Sequence, residues 1–543
     1  RYTPAAEAMI PLLRDESPRV RYFAMEALGR MSWKPAFDAI VSLLAENDDE
    51  DVYLRHGGMI ALERLGEAAA VAGLANHPTK AVRIAAVAAL MRMESPEAAR
   101  FLDDEDEFVV TSAARAINDD RMIKDAVPAL AALLDDPRFM NEPLIRRVIN
   151  ANLYEGTEQS ALRLARLSAR ADVPSLLRIE ALKTLEVWPE PSVLDRVTGD
   201  PRGPIQNNAE DARQAVEPLI AHILTEPHDE LVISALRTVS SLNVETATPD
   251  VLALLTGANS PEVRMASLNT LADLGYQAIE AAVFEALNDD MAEVRMNALR
   301  MIPILGLPHE TATALISPLF DNGTITELRT AINTLADIDH PSAASQLSVQ
   351  LDRLISDELN PEIQLDLVLA AERTNFPELK DKLETYEAGK ARDDSVSVYR
   401  ETLYGGNANR GRDLFFRDVG AQCINCHMVG GEGADIGPDL SKVAERLSRE
   451  QFLRAMVSPT EHPVSGYTIL TLTMEDGGQV RGVFQLETGN SLFLNVDNEP
   501  VEIRKAQIME RRHSPSAMPP MGEVLSRTQI RDIIEYLSTL RAE

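Results

Sequence analysis

The pattern of the stretch Ser260-Pro261-Glu262-Val263-Arg264 recurs along most of the chain and indicates its fold. A short turn with Pro or Asp precedes a helix that begins with an apolar residue, Arg and a stripe of Ala and Leu. Ser17-Pro18-Arg19-Val20-Arg21 is an earlier copy. A second amphipathic segment separates successive copies. With the first apolar residue of each copy as its anchor, the anchors are Val20, Val52, Val82, Val109, Ile145, Leu177, Val232, Val263, Val294, Leu328 and Ile363.

The anchors recur every 27 to 36 residues, with one longer gap of 55. A fixed period with two helices per unit predicts an α-solenoid, in which each pair buries its apolar stripe against its neighbours. We expect about eleven helix pairs over residues 1–387. The turn and Val-Arg helix start resemble HEAT and HEAT-like repeats. The tetratricopeptide and ankyrin consensus patterns are missing, although ankyrin-type or mixed helical packing stays an alternative.

The long gap contains a segment over residues 189–214 that is rich in Pro, Gly, Asn and Asp. Such a segment is typical of a solvated excursion between repeats, or of a contact loop for a partner or for the C-terminal domain. The acidic runs Asp48–Asp51 and Asp103–Glu107 lack the pattern of a calcium-binding loop. We therefore interpret both runs as solvated turns between helices.

The net charge of the chain is −32, of which the first 399 residues carry −28. This acidic balance argues against nucleic acid or an anionic membrane surface as a partner. No apolar run approaches the ~20 residues of a membrane span. The sequence begins with Arg1, which we interpret as the start of a mature or excised piece, so the lack of a signal peptide leaves the compartment open.

Cys423-Ile424-Asn425-Cys426-His427 contains both cysteines of the sequence. C-x-x-C-H is the spacing for covalent attachment of a c-type haem. Two thiols one helical turn apart can each add to a vinyl group of one porphyrin, and His427 then points at the iron. A redox disulfide between Cys423 and Cys426, half of a zinc site and a chance match compete with this interpretation. Zinc needs three or four protein ligands, and the sequence has no second C-x-x-C or H-x3-H.

From this motif we predict one covalent haem c per chain, held by Cys423 and Cys426, with His427 as an iron ligand. Because c-type haem is attached outside the cytoplasmic membrane, the motif also predicts a periplasmic or similar location. Downstream, Gly437-Pro438-Asp439-Leu440 fits a loop beside His427. A backbone carbonyl there can accept a hydrogen bond from the second ring nitrogen and fix the orientation of the ring.

Ser516-Ala517-Met518-Pro519-Pro520 lies between the haem motif and the last predicted helix. The thioether of Met518 is a soft, neutral ligand, and Met/His ligation raises the potential of a haem. We predict Met518 as the sixth iron ligand, with Met521 and then His513 as alternatives. His462 is predicted to be an ordinary loop histidine.

Four β-rich segments lie between these two loops and are separated by turn signals such as Glu475-Asp476-Gly477-Gly478. They predict a small antiparallel meander over residues of about 467–510. The four segments are Tyr467–Met474, Gln479–Leu486, Ser491–Val496 and Val501–Ile503.

Residues from about 405 to 541 resemble the haem-binding domain of the planctomycete and verrucomicrobial type, a class I-like cytochrome c with such an insertion. A shift in composition marks a linker over 388–407. The resemblance implies a cytochrome c domain over 408–543, whose first and last helices cross at Gly411 and Tyr536. Packing of both helices on a common core stays the alternative. Members of that family often carry HEAT repeats and, before them, a propeller resembling a quinoprotein sugar dehydrogenase. The sequence has no propeller, so the dehydrogenase activity is not carried over. The resemblance rests on Gly411, Phe415, Cys423, Cys426, His427, Gly437-Pro438-Asp439-Leu440, Asp476-Gly477 and Ser516-Ala517-Met518-Pro519.

Together these observations predict a mainly α protein: a HEAT-like solenoid followed by a class I-like cytochrome c domain with a β insertion. We expect a mono-haem electron carrier with no catalytic residues of its own and with the repeats as docking scaffold. Its redox partner would be a quinoprotein-type dehydrogenase subunit or fused domain. The alternatives are a peroxidase-like haem enzyme with an open iron position, and a structural or sensor scaffold stabilised by haem.

Overall fold

The computed structural model describes residues 3–391, 394–461, 464–497 and 499–542 and is mainly helical. His462 lies outside the described residues, so its predicted role stays untested. The α-helices are α1 (Ala6–Met9), α2 (Pro18–Met31), α3 (Phe37–Asn47), α4 (Val52–Leu65), α5 (Ala68–Ala72), α6 (Lys80–Arg92), α7 (Glu107–Asn118), α8 (Val127–Ala131), α9 (Glu142–Glu155), α10 (Glu158–Ala169), α11 (Ser175–Glu186), α12 (Ala209–Leu224), α13 (Asp229–Leu242), α14 (Thr248–Thr256), α15 (Pro261–Asp273), α16 (Ile279–Leu287), α17 (Ala292–Met301), α18 (His309–Ile316), α19 (Leu319–Asn322), α20 (Ile325–Asp337), α21 (Pro341–Ile355), α22 (Gln364–Arg373), α23 (Pro377–Ala388), α24 (Ser395–Val398), α25 (Ala408–Arg417), α26 (Arg449–Val457) and α27 (Arg527–Thr539).

The predicted repeat helices are confirmed. Every anchor except Ile363 lies in an α-helix, and Ile363 ends a 3-10 turn that leads directly into α22. In some of these helices a turn residue caps the first turn, whereas Ser17 before α2 makes no such bond. The Asp51 carboxylate accepts a hydrogen bond from the Tyr53 amide at 2.8 Å, and the Ser260 hydroxyl accepts one from the Val263 amide at 3.3 Å. Both caps satisfy amide groups that have no partner within the first turn of a helix.

The arginine that follows the anchor joins successive repeats. The Nε atom of Arg83 donates to Oδ2 of Asp104 at 2.7 Å, and both side chains are buried. Arg178 donates to Glu226 at 2.7 Å. The insertion lies between these two residues in the sequence, so the pair joins the repeats on either side of it. A buried guanidinium needs a carboxylate or carbonyl partner. The pairs of this arginine ladder are Arg83–Asp104, Arg178–Glu226, Arg264–Asp289, Arg295–Glu327 and Arg329–Asp366.

The predicted insertion folds back onto the repeats that precede it. Asp195 in this segment is only 3% exposed, and its carboxylate accepts hydrogen bonds from the Thr198 amide at 2.9 Å and from Nδ2 of Asn150 at 3.0 Å. Arg202 pairs with Asp195 and donates to the carbonyl of Asn118 at 2.8 Å. The buried carboxylate of Asp195 thus anchors the segment. Neither the solvated excursion nor the contact loop that the sequence suggested includes such a buried carboxylate.

The chain forms two compact units that divide between Val294 and Arg295. In the second unit, the last repeats pack against the C-terminal segment. Arg531 on α27 donates to Asp366 on α22 at 2.6 Å. The predicted linker contributes a buried ion pair, in which Nζ of Lys390 lies 3.1 Å from Oε2 of Glu401. Residues 392 and 393 of that linker lie outside the described part of the chain.

The predicted antiparallel sheet near the C-terminus is confirmed. The strands of the described residues are β1 (Met428–Val429), β2 (Glu432–Gly433), β3 (Ile469–Met474), β4 (Gln479–Glu487), β5 (Ser491–Val496), β6 (Glu499–Arg504) and β7 (Ile508–His513). The sheet has the strand order β6-β5-β4-β3-β7. The fifth strand, β7, was not among the predicted segments; it returns to pair with β3, with Leu470 opposite His513. Leu470, Leu472 and Leu494 belong to a small apolar core on the sheet. Strands β1 and β2 pair with each other as a separate hairpin.

Candidate functional site

Helices α25 and α27 cross at Gly411, as the sequence predicted. A Cβ atom on Gly411 would lie 2.0 Å from the carbonyl oxygen of Asp532 and 2.8 Å from Cβ of Tyr536. Only a residue without a side chain allows the two backbones to approach this closely. Phe415, one turn further along α25, has its ring centroid 5.7 Å from that of Tyr536. The crossing therefore fixes the position of the chain that leads into the cysteine motif.

Sequence reasoning missed the polar half of this crossing. The Asp532 carboxylate is buried and accepts a hydrogen bond from the Asn407 amide at 2.8 Å. It also accepts one from Nε of Arg410 at 3.0 Å. Asp532 thereby caps the region where α25 begins. No local signal could have indicated the pairing, because the partners are more than a hundred residues apart in the sequence.

The two cysteines lie at a 3-10 turn, Cys423–Asn425, that follows α25. The turn closes with a hydrogen bond from the His427 amide to the Cys423 carbonyl at 2.9 Å. Both thiols are free, with Cys423 half-buried and Cys426 exposed. Burial raises the pKa of Cys423 to about 11. The structure thus presents both sulfur atoms on one short turn, unjoined by a disulfide.

His427 is held by the loop at Pro438. Its Nδ1 atom lies 2.8 Å from the Pro438 carbonyl oxygen, which is the contact that the sequence predicted. Gly437 lies against the ring, because a Cβ there would come within 2.8 Å of Cε1 of His427. A carbonyl bound at Nδ1 makes that nitrogen the donor and leaves Nε2 as the ring nitrogen for a metal.

Zinc is not favoured by the arrangement of side chains. Over residues 3–391, 394–461, 464–497 and 499–542, no group of three or more His, Cys, Asp or Glu side chains could hold a metal ion. A structural or catalytic zinc site takes at least three protein ligands of these kinds. A haem iron takes one histidine and one further protein ligand, which is a smaller set of donors than zinc requires.

Met518 and Cys423 contact the same apolar cluster, which includes Phe415, Val443 and Leu453. Met518 is half-buried in a loop. Its role as the sixth ligand stays a prediction. The alternative Met521 is a buried member of that cluster and begins a 3-10 turn. The other alternative, His513, lies in the paired strand β7.

The β meander is joined to the histidine loop by a contact that the sequence did not indicate. Oη of Tyr467 lies 3.4 Å from Oδ1 of Asp435, two residues before Gly437. Partial burial and the nearby Asp435 carboxylate raise the pKa of Tyr467. The turn before β3 therefore reaches the loop that orients His427.

Two family models match parts of the chain. The model for HEAT repeats matches residues 248–336, and the model for the PBS lyase HEAT-like repeat matches residues 20–46. The chain contains HEAT-like repeats. The matched segments include α2 and the run from α14 to α20, where the anchor helices were predicted from their spacing. Neither match reaches the cysteine motif, and no curated protein matches the chain.

Solved structures resemble the chain only loosely. An engineered protein from a structural genomics consortium is 16% identical, with 70% of this chain and 98% of that chain covered and a TM-score of 0.28. Karyopherin Kap121p, bound to the extreme C-terminus of the protein phosphatase Cdc14p, is 12% identical, with 73% and 53% covered and a TM-score of 0.37. A search of the described residues for a helix both long and apolar enough to cross a membrane found none.

Proposed function

We propose that this protein is a mono-haem c-type cytochrome that transfers single electrons outside the cytoplasmic membrane, with its HEAT-like repeats as docking scaffold. The observation that carries the proposal is the 2.8 Å contact between Nδ1 of His427 and the Pro438 carbonyl. That contact orients a histidine, immediately after a C-x-x-C pair, with Nε2 left for iron. Haem c, when bound, supplies one-electron redox chemistry.

The chain's own residues hold and orient such a group. Cys423 and Cys426 would hold the haem through their sulfur atoms, and His427 and Met518 would supply ligands to its iron. Gly437 keeps the face of the imidazole ring clear of a side chain. The cluster around Phe415 excludes water from the buried side of the turn. A low-dielectric surrounding and a thioether ligand both tune the potential of a haem.

The charge of the repeats supports a docking role. Residues 1–399 carry a net charge of −28, whereas the rest of the chain carries −4. A strongly acidic surface attracts a basic partner and raises the association rate in a manner that depends on salt. We propose that the partner is a dehydrogenase, of quinoprotein type, bound non-covalently or fused upstream. The protein would then accept electrons from that dehydrogenase.

The first test is the mass of the denatured protein after expression with the machinery for c-type haem attachment. We expect the added mass of one haem, and a pyridine haemochrome spectrum typical of two thioether bonds. The double variant Cys423→Ala/Cys426→Ala should have the apoprotein mass. An apoprotein mass for the wild-type chain would refute the proposal. A high-spin spectrum would favour the open-iron enzyme, and a low-spin haem that no redox partner reduces would favour the stabilised scaffold.

A further inference from the structure

A groove of about 340 Å³ lies between α4 and α6 in the first compact unit. Most of its lining is apolar, and we call it the N-terminal groove. Val52 and Met59 lie on one face of α4, at positions i and i+7. Their face of the helix is open to solvent, since Val52 is 53% exposed. The groove is lined by Val52, Tyr53, Arg55, His56, Met59, Ile84, Ala85 and Ala88.

Exposed aromatic side chains also lie on α4 and α7. Tyr53 is 74% exposed, and Phe108, on the neighbouring helix α7, is 57% exposed. Lys80 of α6 lies over the Phe108 ring, with Nζ 5.3 Å from the ring centroid. Large exposed apolar patches on a folded protein mark sites of interaction. Helices α4 and α7 thus each present an exposed aromatic side chain to solvent.

The surroundings of the N-terminal groove are acidic. The run Asp48–Asp51 immediately precedes α4, and the run Asp103–Glu107 ends at the first residue of α7. Residues 46–107 contain fourteen acidic and six basic side chains. The basic side chains nearest the groove are already paired. Arg55 lies 2.7 Å from Asp49, and Lys80 lies 2.8 Å from Asp106. A ligand for this surface therefore needs apolar groups for the groove and positive charge for its borders.

We infer that the N-terminal groove docks a basic, amphipathic segment of the partner protein. One or two of its apolar side chains enter the groove between α4 and α6, as in the recognition of amphipathic helices by apolar grooves. Its lysine or arginine side chains lie beside the two acidic runs. This inference rests on the docking role proposed for the repeats, and it requires no property of the haem.

The test uses the full chain and a fluorescent 14-residue peptide with Leu and Phe on one helical face and Lys on the other. Anisotropy in about 50 mM salt, where screening of exposed charges is modest, gives the affinity. We expect Tyr53→Ser and Ile84→Ser each to weaken binding by tenfold or more. The matched control is Phe284→Ser, which removes a 55% exposed aromatic residue from α16 of the same unit and should leave the affinity unchanged. A peptide with Glu in place of Lys should not bind.

The inference is wrong if the Lys peptide does not bind, or if Phe284→Ser weakens binding as much as the groove variants. Light scattering tests a second copy as the occupant. If the chain dimerises and Tyr53→Ser makes it monomeric, the groove binds another copy and the inference is also wrong. Haem content is measured in the same samples. Peptide binding without haem would refute only the proposed function, and haem without peptide binding would refute only the groove.

Discussion

Replacement of Gly411 by alanine should separate the two helices that carry the candidate site. The added Cβ would lie 2.0 Å from the carbonyl oxygen of Asp532 and 2.6 Å from its carbonyl carbon. Both are backbone atoms of α27, so no side chain can rotate away to relieve the overlap. The helices must move apart, which weakens the hydrogen bonds to Asp532 and the contact between the Phe415 and Tyr536 rings.

The expected cost follows from two opposing effects. Overpacking of a close contact costs up to about 3 kcal/mol. Alanine in place of glycine stabilises a helix by about 1 kcal/mol, which offsets part of this cost. The net loss of about 2 kcal/mol corresponds to a roughly 30-fold change in the opening equilibrium of this region. The loss should be local, because α25 and α27 contact each other at this point.

Hydrogen exchange measured by mass spectrometry reports this local opening. Peptides from α27 should exchange roughly 30-fold faster in Gly411→Ala, whereas peptides from the first compact unit should be unchanged. Gly73→Ala is the matched control, because a Cβ on Gly73 would have no heavy atom within 4 Å and the φ angle of this residue is helical. Unchanged exchange of α27 in Gly411→Ala would refute the reasoning that this glycine is required by close approach.

Two further predictions concern the insertion and the sixth ligand. Burial opposes ionisation of Asp195, but the amides of Thr198 and Val197, with Asn150 and Arg202, lower its pKa below the ordinary value. The carboxylate therefore stabilises the fold above the pKa of the unfolded state, about 4, and this stabilisation is lost as the pH falls through the folded-state pKa. Asp195→Asn should lose about 2 kcal/mol at pH 7. In urea unfolding the difference should narrow in acid, and a difference independent of pH would contradict the assignment. Met518→Ala should abolish the weak sulfur-to-iron absorption band and lower the potential; if Met521→Ala does so instead, Met521 is the ligand.

The repeats could be predicted from the sequence because their signal is periodic. Val263 and its equivalents recur together with a short turn, so both the start of the helix and its buried face are encoded locally. The arginine of the same motif was visible, but its partner was not. Asp104 lies 21 positions after Arg83, and only the stacking of two repeats brings them together.

The candidate site shows the same division between local and non-local information. The hydrogen bond from His427 to Pro438 spans 11 positions, and the sequence predicted it from the type of loop.

The burial of Asp195 in the insertion was not predicted, because the composition of its segment is that of an exposed loop. Of its partners, Asn150 lies well before the segment in the sequence and Arg202 lies within it. A buried carboxylate there depends on how the loop folds back, which composition does not encode.

The crossing of α25 and α27 has a consequence for the order of events during biogenesis. The bond from Asn407 to Asp532 joins residues 125 positions apart, and contacts this distant are slow to form because a long loop must first be closed. The cysteine turn lies inside that loop. Until the loop closes, both thiols are accessible to an enzyme that attaches a group to them. After closure, Cys423 is half-buried. The proposed attachment of haem to Cys423 would therefore precede closure of the two helices, and closure would then bury the modified turn.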